Sequence, residues 1–122
     1  MNSDVKKYQP DMEYFFEEGC FINELSNSSD DPEVSVARAR VEPGKTTKWH
    51  ALKGITERYL ILEGEGLAEI GESEAQTVTE GDILIIPTEV RQRITNTGLV
   101  DLVFLAICSP RFIKSAYRQL EA

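Results

Sequence analysis

Residues 44–64 read GKTTKWHALKGITERYLILEG, and residues 81–96 read GDILIIPTEVRQRITN. Extended chain alternates its side chains between two faces. With strands flanking a turn at Lys53–Thr56, the first stretch therefore presents His50, Leu52, Glu57, Tyr59 and Ile61 on one face. His50, the only histidine in the chain, then converges with Glu57, while Trp49 points away from it. In the second stretch Gln92 and Ile94 share a face and Arg91 and Arg93 occupy the other, so Gln92 is the polar member of the apolar side.

Outward from these stretches, short β-prone segments follow one another with turn residues between them and no helix-length periodicity. Strands are expected at about 34–41, 46–52, 57–62, 66–70, 75–78, 82–86, 90–96 and 100–108. Pro43-Gly44, Gly54, Gly64-Glu65-Gly66, Gly71, Glu80-Gly81, Pro87 and Thr97-Gly98 divide them. Gly64 and Gly66 read as positions of positive φ. Eight such strands predict an all-β, sandwich-like barrel over residues 34–108. Residues 1–33 form an N-terminal extension in which Cys20–Leu25 is a strand that joins either the main sheet or a partner subunit. Residues 109–122 are expected to form a short C-terminal helix, with Ser109 as N-cap, Pro110 at the first helical position, and Ile113, Tyr117 and Leu120 as its apolar stripe.

The two stretches resemble the paired motifs of the cupin family, G-x5-H-x-H-x3–4-E-x6-G and G-x5-P-x-G-x2-H-x3-N. Gly44, His50, Glu57 and Gly64 occupy first-motif positions; Gly81, Pro87 and Asn96 occupy second-motif positions. The resemblance implies a jelly-roll-like β-barrel that dimerises through an outer sheet face into a homodimer. Metal-binding cupins hold a divalent ion with three histidines and a glutamate. Here Leu52 and Gln92 stand at two of the histidine positions, and Glu89 stands at a glycine position. The metal ligands that resemblance implies are thus His50, Glu57 and Gln92, for Zn, Fe, Mn or Ni, with a neutral amide as the weakest donor.

Composition narrows the function classes. At 122 residues the chain fits one domain, and its 41% hydrophobic and 28% charged residues suit a globular core. A net charge of -8 opposes binding to nucleic acid or anionic membranes. The charged N-terminal stretch lacks the apolar run of a signal peptide, so a cytoplasmic location is expected. Cys20 and Cys108 lack metal-ligand spacing and read as buried thiols.

The expected function is binding of a small organic molecule in a pocket lined by His50, Leu52, Glu57, Tyr59 and Gln92. Ala37 and Ala39 leave room if they face inward, with Arg38 and Arg40 outward. The alternative, implied by the cupin resemblance, is an enzyme of isomerase, lyase, cyclase or dioxygenase type acting on a carbohydrate-like or other polar small molecule, with Glu57 and His50 as general acid and base and with or without a weakly held divalent metal.

Overall fold

The computed structural model describes residues 1–122 as eleven strands in two packed antiparallel sheets. The strands are β1 (Tyr14–Phe16), β2 (Cys20–Ser26), β3 (Ser35–Val41), β4 (His50–Leu52), β5 (Thr56–Glu63), β6 (Glu65–Ile70), β7 (Gln76–Thr79), β8 (Ile83–Ile86), β9 (Gln92–Asn96), β10 (Leu102–Ser109) and β11 (Tyr117–Gln119). One sheet runs β1-β2-β3-β10-β5-β8 and the other β11-β4-β9-β6-β7. The eight expected strands are β3 to β10. The 46–52 segment contracts to β4, with a lone bridge between Thr46 and Thr95 ahead of it.

The alternation that suggested strands also builds the core. Ala39 faces Phe104, which faces Ile61 on β5; Tyr59 faces Leu84 on β8. These side chains, with Val41, Ile86, Ile94 and Leu102, are almost wholly buried. Each large one stabilises the fold by roughly 1.5–3 kcal/mol relative to exposure. A second, smaller cluster joins Leu52, Ile55, Cys108 and Ala116.

The motif residues outside the site have structural work. Asn96 donates from its amide to the carbonyls of Val41 and Val100, each at 2.8 Å, and accepts from Gly98 N–H at 2.9 Å. Gly64 has φ +86° and sits where a Cβ would lie 2.7 Å from the Asp101 carbonyl. Gly66 is not left-handed, contrary to expectation. It is glycine because a Cβ there would meet the Thr95 carbonyl at 2.7 Å.

Both chain ends join the sheets. The N-terminal extension supplies β1 and β2, with Ile22 opposite Ala39, so it extends the six-stranded sheet. The expected C-terminal helix is absent as such. Only one 3-10 turn forms, at Lys114–Ala116, and β11 then pairs with β4, Tyr117 opposite Leu52 and Gln119 opposite His50. The physical reason is the open edge of β4, whose backbone groups need partners. Ser109 does not cap a helix but ends β10, its hydroxyl accepting from Arg58 at 2.6 Å.

Glu89, where the cupin motif carries glycine, is the one non-glycine residue at positive φ, +67°. Its N–H donates to the Leu52 carbonyl at 2.8 Å, which holds it there. Left-handed backbone costs an L-residue roughly 1–2 kcal/mol, whereas glycine adds about 0.5–1 kcal/mol of unfolded-state entropy. Glu89→Gly should therefore stabilise the protein by about 0.5–1 kcal/mol and raise its Tm by about 2–6 °C. An unchanged or lower Tm in a thermal melt would show that the position carries no strain.

Candidate functional site

Glu57 is the hub. Strand parity on β5 turns it inward beside Tyr59 and Ile61, and the two sheets close over it until 8% of it is exposed. Gln92 comes from β9 in the facing sheet and donates its amide to Glu57 Oε1 at 2.6 Å. The Cys108 thiol, on β10 next to β5, donates more weakly to Oε2 at 3.6 Å. His50 sits directly opposite Gln92 across the β4–β9 pair.

The His50 ring is fixed from three sides. Its Nδ1 lies 2.6 Å from the Lys48 carbonyl. A carbonyl only accepts, so Nδ1 carries a proton and Nε2 is the nitrogen presented to Glu18 Oε2, 3.5 Å away. The ring stacks on Tyr117, with centroids 5.4 Å apart. Tyr117 in turn meets Phe16 edge-on at 5.0 Å, and its hydroxyl is buried without a hydrogen-bond partner.

Neither Glu18 nor Tyr117 is marked as a site residue by the sequence. Glu18 sits in the tight turn between β1 and β2, where Gly19 takes φ +99°. Its carbonyl accepts from Lys48 N–H at 2.7 Å, which pins the turn beside β4. Only a contact between residues about thirty positions apart brings it to His50, and no local periodicity signals that. Tyr117 does carry a sequence cue, but its spacing with Ile113 and Leu120 suits a helical stripe.

A cavity of about 40 Å³ adjoins Glu57. Ala37 and Ala106 make the room, and Tyr14, Phe16, Glu18, Glu24, Ser35 and Phe112 are among the other side chains around it. Of the five expected pocket residues, only Glu57 lines this cavity. His50 and Gln92 are buried behind it, His50 held to Glu18 and Gln92 to Glu57. Leu52 fills the smaller apolar cluster, and Tyr59 packs on Phe104 with ring centroids 4.2 Å apart. Both are buried, and the volume of their neighbours makes them core.

The arginines and the tryptophan lie on the outer faces. Arg40 holds Glu13 at 2.6 Å and Asp101 at 3.3 Å, with Arg38 3.6 Å from Glu13. Arg91 and Arg93 stack on Trp49, their guanidinium carbons 4.3 and 4.4 Å from its ring centroid.

The donor set does not fit the divalent metal that the motif resemblance implies. No three His, Cys, Asp or Glu side chains converge where an ion could sit. The Gln92 amide is turned to hydrogen-bond Glu57, Leu52 has no donor atom, and the thiols do not substitute. Burial and Glu57 push the Cys108 thiol up, and burial and Glu18 push Cys20 well up, so both are held as unreactive SH groups.

Burial, reinforced by the charge of Glu18, raises the Glu57 carboxyl from 4.5 to about 7, against the opposing pull of Gln92, His50 and Cys108. The folded protein thus holds a proton that the unfolded chain releases. Stability from this group is complete below pH 4.5 and is lost as pH rises through about 7. At about 1.4 kcal/mol per unit, the loss is on the order of 3 kcal/mol. Glu57→Gln should therefore match wild type at pH 4 and exceed it by about 1–3 kcal/mol at pH 8 in urea unfolding. A constant difference across that range would mean that Glu57 keeps an ordinary carboxylate value.

The sequence comparisons agree with the motifs. The profile described as a cupin domain matches residues 37–108. An uncharacterized protein of Methanocaldococcus jannaschii is 34% identical over 101 residues, which is 81% of this chain and 80% of that one. An oxalate-binding protein of Thermotoga maritima is 34% identical over 71 residues, 58% of each chain. In fold, the chain is similar to Pac13, a nucleoside dehydratase of Streptomyces, with TM-score 0.78 and 19% identity over 97% of this chain and 92% of that one. With both motifs embedded in a two-sheet barrel and the domain profile spanning its strands from β3 to β10, this chain belongs to the cupin family.

Proposed function

We propose that the protein is a metal-independent cupin that binds a small molecule in the cavity beside Glu57. The carrying observation is that cavity: a buried carboxylate exposed to a space opened by two alanines. Water needs roughly 10–15 Å³ of such space, and pockets for drug-sized ligands begin at about 300 Å³. At about 40 Å³ the site suits one compact group, with the rest of the ligand at the mouth. The relatives include an oxalate-binding protein and, by fold, a nucleoside dehydratase, so both binding and catalysis occur on this scaffold.

A catalytic reading is favoured by one observation. Glu57, raised to about 7, holds a proton at neutral pH and can release it, which is what a general acid–base group requires. His50 would then act as a positioning residue by holding Glu18 beside the cavity and not as a ligand to metal.

Elemental analysis of protein purified without a histidine tag should find well under one equivalent of any divalent metal. One full equivalent that disappears in His50→Ala would overturn metal independence. A melting-temperature screen against compact metabolites should show ligands that stabilise wild type, by about 2.7 kcal/mol at a hundredfold excess over Kd. Ala106→Leu, which fills the cavity, should abolish the shift. Equal shifts in both proteins would remove the cavity from the proposal.

We also propose a cytoplasmic homodimer. Both cysteines are free and buried, as suits a reducing compartment, and no helix is long and apolar enough to cross a membrane. The outer face of the six-stranded sheet exposes Leu62, Ile83 and Ile85 beside the half-buried Leu60, Leu105 and Ile107, an apolar area that a second copy would cover. Sedimentation should show a dimer for wild type and a folded monomer for Ile83→Glu/Ile85→Glu. A dimer that survives the double substitution would place the interface elsewhere.

A further inference from the structure

The charge and the walls of the Glu57 cavity go further than its size. Three aromatic rings line it: Tyr14 and Phe16 meet edge to face at 6.4 Å, and Phe16 and Phe112 do the same at 6.3 Å. The three rings thus form one mutually packed aromatic wall along the cavity. Against them stand three carboxylates, Glu18, Glu24 and Glu57, and no lysine, arginine or histidine side chain lines the space. The arginines of the adjoining strands are held on the outer face: Arg38 and Arg40 by Glu13 and Asp101, Arg58 by Ser109 and the Thr56 carbonyl. His50, 3.5 Å from Glu18, lies behind the wall and does not line the cavity.

An anionic ligand entering this cavity would meet three carboxylates with no donor cluster to offset them, and partial burial would strengthen that repulsion. A neutral polyol would find acceptors in excess and, on three sides, apolar rings. A cation carrying methyl or methylene groups meets carboxylates and ring faces together, the combination by which aromatic cages hold quaternary ammonium groups. We infer that the cavity takes the head of a small organic ammonium ion, its charge against Glu18 and Glu57 and its carbon atoms on Tyr14, Phe16 and Phe112. This rests on the cavity being the ligand site, as proposed above, and names the ligand class. It sets the chain apart from its relative named for binding oxalate, a dianion. The raised carboxyl of Glu57 agrees with a site that lacks its counter-charge until the ligand arrives.

The test uses three probes of similar bulk and different charge: tetramethylammonium, tert-butanol and oxalate, each titrated calorimetrically into the full-length protein at low ionic strength. Tetramethylammonium should bind at least tenfold more tightly than tert-butanol, and oxalate should not bind. Glu18→Gln, an isosteric change in a partly exposed turn, should weaken tetramethylammonium about tenfold and narrow its lead over tert-butanol, with an unchanged melting curve showing that the fold is intact. Glu57→Gln provides the second charge removal. Oxalate or tert-butanol binding as tightly as the cation, in a manner abolished by Ala106→Leu, would overturn the ligand class and leave the cavity as the site. Binding by no probe, or binding that Ala106→Leu leaves intact, would overturn both.

Discussion

The hydrogen bond from the Gln92 amide to Glu57 holds the interior of this barrel in its observed form. It is an inter-sheet bond: Glu57 belongs to the six-stranded sheet and Gln92 to the five-stranded one. A carboxylate pressed into a closing core must find donors or give up its charge, and here it does some of each. Gln92 and Cys108 supply donors, while burial and Glu18 push the group toward its protonated form. In the cupin arrangement of three histidines and a glutamate, a metal ion would tie the same positions together. Gln92 replaces that tie with a hydrogen bond, and Leu52, at a position where metal-binding cupins carry histidine, serves only as packing.

The chain ends complete what the two motifs begin. The β1–β2 turn brings Glu18 to His50 Nε2, and β11 stacks Tyr117 on the face of the ring. β1 also supplies Tyr14 and Phe16, and the segment before β11 supplies Phe112, so all three cavity rings come from outside the motif region. The motifs therefore fix a scaffold with a polar core, and the terminal segments determine what that core can meet. Two proteins sharing the motifs can differ in ligand through these segments alone.

The sequence makes the fold legible where its period is unambiguous. From Val34 to Cys108, inward alternation and glycine or proline punctuation locate eight strands, and parity alone assigns Glu57, Tyr59 and Gln92 inward and Trp49 outward. It misleads at 109–122, because Ile113, Tyr117 and Leu120 suit a helical stripe, whereas the unpaired edge of β4 selects a strand. Parity cannot say whether an inward residue lines a void or fills the core: Tyr59 and Leu52 differ from Glu57 in this only through their neighbours. Glu18 is invisible to any local rule, since the chain must fold before its turn lies beside His50.

The same burial that disfavours the Glu57 carboxylate is what would give the proposed site its capacity to bind. A well-compensated interior charge has little to gain from a ligand; an under-compensated one gains the whole of the missing interaction. Here the donors present offset only part of the desolvation, and the nearest additional charge, Glu18, has the same sign. A ligand bringing positive charge or strong donors into the cavity would recover free energy that folding leaves unrealised, which is how a cavity too small for extensive apolar contact can still discriminate. On the proposed reading, stability and function draw on one carboxylate in opposite directions, and local rules of good packing fail at Glu57, where failure would be useful.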